Sequence, residues 1–196
     1  MKNMLLAAIS PLQWVNSRLL RIGSSIAAVA LAVMVVAILL QVFYRYVLNN
    51  ALPWPEEAAR FLMLWMTGLA APAVYRQGGF VAIDMLDAAL PRRAGALLSL
   101  FLLLVSMAVL VMALNFGWKH VQSGWLFNSS SLRLPLDLIG MEPVRIKLAW
   151  MYMSIFIGFV LLSLVNIELI LRSVATIFGH DDALTPIPAA ELPEAE

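Results

Sequence analysis

The chain has 196 residues, of which 62% are hydrophobic and 13% are charged, and its mean hydropathy is +0.88. Soluble domains average about 45–50% apolar and about 25% charged residues, so this composition indicates a membrane protein. The chain contains no cysteine, which excludes disulfides, thiol redox chemistry, iron–sulfur clusters and cysteine-ligated zinc. Five of the 12 acids lie after Gly179, which leaves a basic body without a basic run or RNA motif, so we expect contact with lipid and not with nucleic acid.

The N-terminal segment predicts a helix and not a cleavable signal. The apolar stretch Met4–Ile9 is too short for the hydrophobic region of a signal peptide. Ser10 is a good N-cap and Pro11 suits the first helical position, so the pattern predicts a helix start there. We interpret residues 1–23 as an amphipathic lead-in at the membrane interface, with an early start of the first span as an equal alternative. Its apolar face would hold Leu12, Val15, Leu19 and Ile22.

Four apolar runs are long enough to cross a hydrocarbon core that takes about 20 helical residues. No segment alternates between apolar and polar residues with hairpin turns, so no strand is predicted. In lipid the backbone must satisfy its own hydrogen bonds, which favours helices. The fold class is therefore an all-α integral membrane protein with interfacial amphipathic helices and a four-helix membrane domain at 24–179. The spans are placed at about 24–44, 57–75, 97–118 and 148–168.

The distribution of lysine and arginine predicts that both termini lie inside, because basic residues favour the cytoplasmic side. In this orientation seven basic residues are inside, namely Lys2, Arg18, Arg21, Arg76, Arg92, Arg93 and Arg172. Six are outside, namely Arg45, Arg60, Lys119, Arg133, Arg145 and Lys147. The excess is small, but Arg18 and Arg21 precede the first span, which usually dominates the orientation.

The connections between the spans differ in character. The outer connection 119–147 holds several large apolar residues, so we expect it to fold back on the bilayer or on a partner. The inner connection 76–93 carries Asp84 among apolar residues and predicts a short amphipathic helix on the inner surface. Residues 180–196 combine acids, alanines and prolines, which predicts a disordered acidic tail.

The sequence contains few residues that could bind a cofactor or metal or catalyse a reaction. The two histidines are His120, where the third span ends, and His180 in the tail, so a haem held by a histidine pair is not expected. Histidine and acidic residues do not cluster as metal ligands do. Pro72 could kink the second span, but no ionisable residue lies near the middle of a span, where a transport site would need one. We therefore expect no cofactor, no metal and no enzymatic activity.

The connection after the first span concentrates the polar residues that carry the clearest functional signal. Pro55 suits the first helical position, and Glu56 and Glu57 complement the helix dipole. Arg60 can pair with either glutamate on one helix face, and Glu57 could instead pair with Arg45 across the connection. Internal bracing and a partner surface are equally supported. The candidate residues are Arg45, Trp54, Glu56, Glu57, Arg60 and Asp84.

These residues occur in an order that resembles the small membrane subunit, DctQ type, of tripartite ATP-independent periplasmic (TRAP) transporters. The resemblance extends from about Gln41 to Ile167. Each piece is short, but the order of the pieces, the four spans and the length together make it fairly specific. The pieces are Arg45-Tyr46-Val47, Leu52-Pro53-Trp54, Glu56-Glu57, Arg60, Leu64-Trp65, Gly68, Arg76, Val81, Ile83-Asp84, Ser131-Leu132 and Leu134-Pro135.

The resemblance implies a function that composition and spacing do not show. In such transporters a periplasmic substrate-binding protein delivers an organic acid to the membrane, and a large multi-span subunit carries it with sodium by an elevator motion. The small subunit lies in the bacterial inner membrane and supports the stationary scaffold of the large one, without holding substrate itself. In this chain Arg45, Trp54, Glu57, Arg60 and Asp84 match the motif, and the resemblance implies bracing or subunit contact for them.

Two other classes of protein remain as alternatives. An autonomous, homo-oligomeric small transporter or channel would need a polar path between its copies, and the uncharged third span argues against it. A membrane-bound oxidoreductase subunit is not expected, because the chain has no cysteine and only two histidines, neither of them within a span.

Overall fold

The computed structural model describes residues 2–78, 92–134 and 144–179. The described residues form four helices and one pair of strands. The helices are α1 (Lys2–Tyr46), α2 (Pro55–Arg76), α3 (Arg92–Gly124) and α4 (Ala149–Ile177). All four are long and apolar enough to cross a membrane, which confirms the predicted helical membrane protein with four spans. The predicted inner-surface helix with Asp84 and the predicted disordered tail fall on residues 79–91 and 180–196, outside the described residues.

The first helix begins earlier than the sequence predicted. It runs without interruption from Lys2 to Tyr46, with Pro11 inside it, so the predicted start at Ser10 is wrong. A proline inside a helix removes one hydrogen bond and costs about 3 kcal/mol. Nearby packing opposes this cost, because Ile9 is 3% exposed and Asn16 is 1% exposed. The helix continues from this segment into the span without a break, and the interfacial placement of residues 1–23 stays a prediction.

The expectation that no strand occurs is also wrong. Strands β1 (Asn128–Leu134) and β2 (Val144–Lys147) pair antiparallel, within the segment expected to fold back. Alternation between apolar and polar residues is present here, but it spans only Leu132–Leu134 and Val144–Lys147, too few residues to signal a strand. The register shifts between Asn128 and Arg133, which is typical of a β-bulge.

The chain divides into two compact units, and every helix contributes to both. Unit 1 comprises Met1–Arg21, Ala71–Val111 and Leu161–Glu196, and unit 2 comprises Ile22–Ala70 and Met112–Val160. Unit 2 contains both strands and the first turn of α2. The two candidate clusters described below each lie within one unit.

Helices α2 and α4 approach closely in unit 2 because both carry small residues at the contact. A Cβ atom at Gly68 would overlap the carbonyl oxygen of Ser154, and a Cβ atom at Gly158 would lie 2.8 Å from the carbonyl oxygen of Gly68. Ser154 and Gly158 are one helical turn apart, the spacing of small residues that lets membrane helices pack backbone to backbone. This contact positions the first turn of α2, which lies on the same short helix.

Within unit 2, α1 buries small residues and exposes large ones. Ala27, Ala30 and Ala37 are 4–7% exposed. Large apolar residues of the same stretch point outward, including Val29, Val33, Val36 and Leu39, which are 50–63% exposed. Lipid chains are as apolar as these side chains, so this surface suits the bilayer or another membrane helix.

Candidate functional site

Glu57, in the first turn of α2, accepts hydrogen bonds from three consecutive serines of β1. Its Oε1 atom accepts from the Ser129 hydroxyl at 2.7 Å and from the Ser130 amide at 3.2 Å. Its Oε2 atom accepts from the Ser131 amide at 2.7 Å, from the Ser130 hydroxyl at 3.1 Å and from the Ser131 hydroxyl. We name this arrangement of Glu57, Ser129, Ser130 and Ser131 the Glu57 cradle.

The Glu57 cradle explains the irregular strand pairing. The amides of Ser130 and Ser131 point to the carboxylate, which removes them from the ladder with β2 over the stretch where the register shifts. The amide of Leu132 is satisfied by the hydroxyl of Ser129 at 2.9 Å. A bulge leaves backbone groups unpaired, so a carboxylate that accepts two of them compensates for the lost ladder bonds.

The cradle occupies the whole hydrogen-bonding capacity of the Glu57 carboxylate. A carboxylate offers about four lone-pair positions, and five donors converge on this one. The negative charge also lies at a helix N-terminus, where the backbone dipole favours it. Glu57 is therefore arranged to fix the β1 segment to α2, and no free lone pair remains for a substrate or cation.

The neighbouring candidate residues lie on the surface and make local contacts. Arg60 forms an exposed ion pair with Glu56, one of the pairings that the spacing allowed. The guanidinium of Arg45 lies 5.7 Å from the ring centroid of Tyr46. The suggested pair between Arg45 and Glu57 is therefore not observed, because the serines occupy the Glu57 carboxylate.

The two remaining candidates have different outcomes. Trp54 directly precedes α2 and is 40% exposed. Asp84 lies outside the described residues, and its role stays a prediction.

A second polar cluster lies in unit 1, around a carboxylate with 0% exposure. Glu168 of α4 accepts a hydrogen bond from Arg76 of α2 at 2.8 Å and one from Arg172 of α4 at 3.2 Å. Its second oxygen accepts from the amide of Asn16 in α1 at 2.7 Å. We name Asn16, Arg76, Glu168 and Arg172 the Glu168 cluster. It connects three helices through one buried acid.

Further hydrogen bonds extend the polar contacts of unit 1. Arg76 also donates to the hydroxyl of Ser17 at 2.8 Å. The hydroxyl of Tyr75 donates to the side-chain oxygen of Asn166 at 2.6 Å. The amide of Asn166 donates in turn to the carbonyl oxygen of Leu103 in α3 at 3.0 Å. Polar contacts thus join segments of all four helices in this unit.

Sequence reasoning missed the Glu168 cluster. It placed Glu168 at the boundary of the fourth span and Arg76 in a loop, whereas α4 continues to Ile177 and Arg76 is the last residue of α2. One signal was available: Glu168 and Arg172 are four residues apart, on one helix face. A membrane helix that carries an acid near its end usually has a basic partner, and this rule calls for a basic residue at the same end of a neighbouring helix.

The described residues contain no group of three or more His, Cys, Asp or Glu side chains that could hold a metal ion. Together, four apolar helices and internal polar clusters define a multi-pass membrane protein whose charged groups fix its own elements in place.

Comparison with known families identifies this membrane protein more closely. A family model described as "Tripartite ATP-independent periplasmic transporters, DctQ component" matches residues 34–176. The chain belongs to this family, a component of inner-membrane transporters that works with a large membrane subunit and a binding protein. The predicted family and the multi-pass location in the inner membrane are thereby confirmed. Comparison with curated proteins gives no match.

We predict that Glu57→Gln loosens β1, because glutamine keeps only one of the two oxygens that now accept from five donors and places a donating NH2 group at the other. Hydrogen bonds to a charged group contribute about 1.5–3 kcal/mol each, so we expect a loss of at least ~1.5 kcal/mol. Hydrogen exchange at the Ser130 and Ser131 amides, measured in detergent, should accelerate. Glu56→Gln is the matched control, since an exposed pair contributes only about 0.3–0.5 kcal/mol. Equal exchange in both variants would contradict the cradle.

We also predict that Glu168→Gln destabilises the protein strongly, because it leaves the buried Arg76 without its counter-charge. Breaking a buried ion pair in this way costs about 3–5 kcal/mol in the free energy of unfolding. Arg172→Gln is the comparison, since Glu168 then keeps Arg76 and Asn16, and we expect a smaller loss. Thermal unfolding of both variants in the same detergent checks this order. A Glu168→Gln variant as stable as the wild type would show that the cluster is not a brace.

Proposed function

We propose that this chain is the non-catalytic small membrane subunit of a sodium-coupled, binding-protein-dependent TRAP transporter for organic acids. In this role it supports the stationary scaffold of the large transport subunit. Family membership supports the place in a TRAP transporter. Sodium coupling, the organic acid and the scaffold role are the further content of the proposal, together with an orientation in which both termini lie inside.

One observation supports the scaffold role: the carboxylates of both polar clusters are bound by other groups of the same chain. The carboxylates of Glu57 and Glu168 both have their two oxygens engaged by side chains or amides of this protein. A transport site in a membrane normally presents an ionisable group to the substrate or ion. Acids committed to fixing helices and strands instead suit a subunit whose task is to stay rigid.

The surface of the chain supports contact with a membrane partner. The outward side of α1 in unit 2 is apolar and carries large side chains, so it can pack against helices of another subunit. Apolar contact alone gives little selectivity in lipid, because lipid chains compete for the same surface. Polar and aromatic residues near the helix ends would supply the selectivity.

The exposed candidates fit this role, while Glu57 fits bracing. Arg45 lies near the ring of Tyr46, Arg60 pairs with the exposed Glu56, and Trp54 is exposed. Their polar groups can therefore reach a partner at little cost. We propose Arg45, Trp54 and Arg60 as subunit-contact residues.

Copurification tests this assignment. A double variant Arg45→Ala/Arg60→Ala should weaken association with the large subunit about tenfold, a change of ~1.4 kcal/mol, because two exposed charges are lost from the contact. The tagged chain is isolated in mild detergent, and the ratio of large subunit to tagged chain is measured. Lys119→Ala serves as the control, since it removes another exposed charge of unit 2.

Two further measurements check that the double variant affects only the contact between the subunits. Thermal unfolding of the double variant should match the wild type, and the binding protein should keep its affinity for substrate, because neither depends on this contact. Normal copurification and normal uptake with the double variant would remove the subunit-contact role of Arg45 and Arg60.

A further inference from the structure

The strand pair places two arginines opposite each other. Arg133 of β1 and Arg145 of β2 are direct partners in the antiparallel register. The Cβ atoms of such partners lie about 4.5–5.5 Å apart, and their side chains project from the same face of the sheet. Like charges directly opposite each other destabilise a strand pair. Such an arrangement calls for a compensating interaction.

Within the described part of the chain, that interaction is absent. Arg133 and Arg145 are both exposed, and neither forms an ion pair or side-chain hydrogen bond with another described residue. Other exposed cations of unit 2 do have contacts: Arg60 with Glu56, and Lys119 with the ring of Phe116. Lys147 lies two residues after Arg145 on β2, so it projects from the same face. We name Arg133, Arg145 and Lys147 the cationic face.

Residues at the base of the strand pair indicate where this face lies. Trp125, Leu126 and Phe127 precede β1 and are 47–79% exposed, and Trp150 follows β2 at 47%. The rings of Trp125 and Trp150 pack edge to face, with their centroids 6.2 Å apart. The Leu148 amide donates a hydrogen bond to the Phe127 carbonyl oxygen at 3.2 Å. Exposed tryptophans next to spanning helices favour the interface between hydrocarbon and water. The strand pair therefore begins at the depth of the lipid headgroups.

We propose that the cationic face binds the phosphate groups of anionic phospholipids at the membrane surface where the strand pair lies. Arginine presents a planar fork of donors that matches phosphate oxygens, and two neighbouring forks can share one phosphate or hold two adjacent headgroups. Binding would neutralise the repulsion between Arg133 and Arg145. The aromatic base keeps the face in the headgroup layer, where phosphate is concentrated, which favours lipid over free phosphate.

The Glu57 cradle gives this site a fixed position. It holds β1 to the first turn of α2, so the arginine that follows the cradle on β1 is presented from an anchored strand. Two arginines on an anchored strand pair lose less backbone freedom on binding than two arginines on a loose connection. Lipid binding by the cationic face follows from the strand register and from the exposure of Arg133 and Arg145. It does not require the proposed transporter function.

Native mass spectrometry of the full chain tests the proposal. The protein is released from nanodiscs that contain phosphatidylcholine mixed with phosphatidylglycerol, and the bound lipids are counted. We expect retention of phosphatidylglycerol over phosphatidylcholine in the wild type. Arg133→Gln/Arg145→Gln should weaken this preference about thirtyfold. This value follows because each basic residue near an anionic surface contributes about 1 kcal/mol, and the variant removes two.

Matched variants separate the site from general charge effects. Arg18→Gln/Lys119→Gln removes the same charge elsewhere and should keep most of the preference. Arg133→Lys/Arg145→Lys keeps the charge but loses the forks, and should retain less phosphatidylglycerol than the wild type. Thermal unfolding in phosphatidylcholine should show Arg133→Gln/Arg145→Gln to be as stable as the wild type or more stable, because the repulsion is gone.

Several outcomes would overturn the proposal. The wild type could show no preference for phosphatidylglycerol, or the control pair could lose as much as the arginine pair. Displacement of the lipid by inorganic phosphate at matched phosphate concentration would identify a free-anion site instead. Loss of binding-protein association in the arginine variant, with lipid retention unchanged, would assign the face to an acidic protein surface.

Discussion

The buried carboxylate of Glu168 is the constraint on which unit 1 depends. Glu168 has no solvent exposure, and a charged group in such a place is tolerated only when counter-charges and hydrogen bonds surround it. Removing a partner from a buried ion pair costs about 3–5 kcal/mol. Here the partners come from α1, α2 and α4. Rotation or sliding of one of these helices would separate the charge from a partner. One acid therefore fixes the rotation and depth of three helices, in a setting where apolar packing distinguishes poorly between alternatives.

Unit 2 applies the same physical principle to different elements. Its acid, Glu57, gathers serines and backbone amides in place of arginines, and it fixes a strand to a helix. Glu56, its neighbour in sequence, points outward and forms only an exposed pair with Arg60. Two adjacent glutamates thus have different roles, and the difference comes from which helix face each occupies. Acids bound within the chain and outward apolar surfaces together suit the supporting role that we propose.

Much of the fold could be predicted, because membrane spans have a strong and simple signal. Hydropathy alone located four spanning helices, and motif order located the family. The strand pair was missed because its alternation is too short, and because its register depends on Glu57, which is distant in sequence. The role of Glu57 could be narrowed to bracing or partner contact, but its serine partners could not be found without coordinates. Asn16 fell within the predicted lead-in at residues 1–23 and Arg76 at the start of a predicted connection, since local patterns do not show which helices meet.

Reconstitution in proteoliposomes tests the central claim most directly, that this chain supports transport without carrying substrate. Uptake of a radiolabelled organic acid is measured under a sodium gradient for the chain alone, for the large subunit with the binding protein, and for all three together. The supporting role predicts uptake only when all three components are present, with no flux through the chain alone. Flux through the chain alone would show an autonomous transporter, and undiminished uptake without it would show that the large subunit needs no such support.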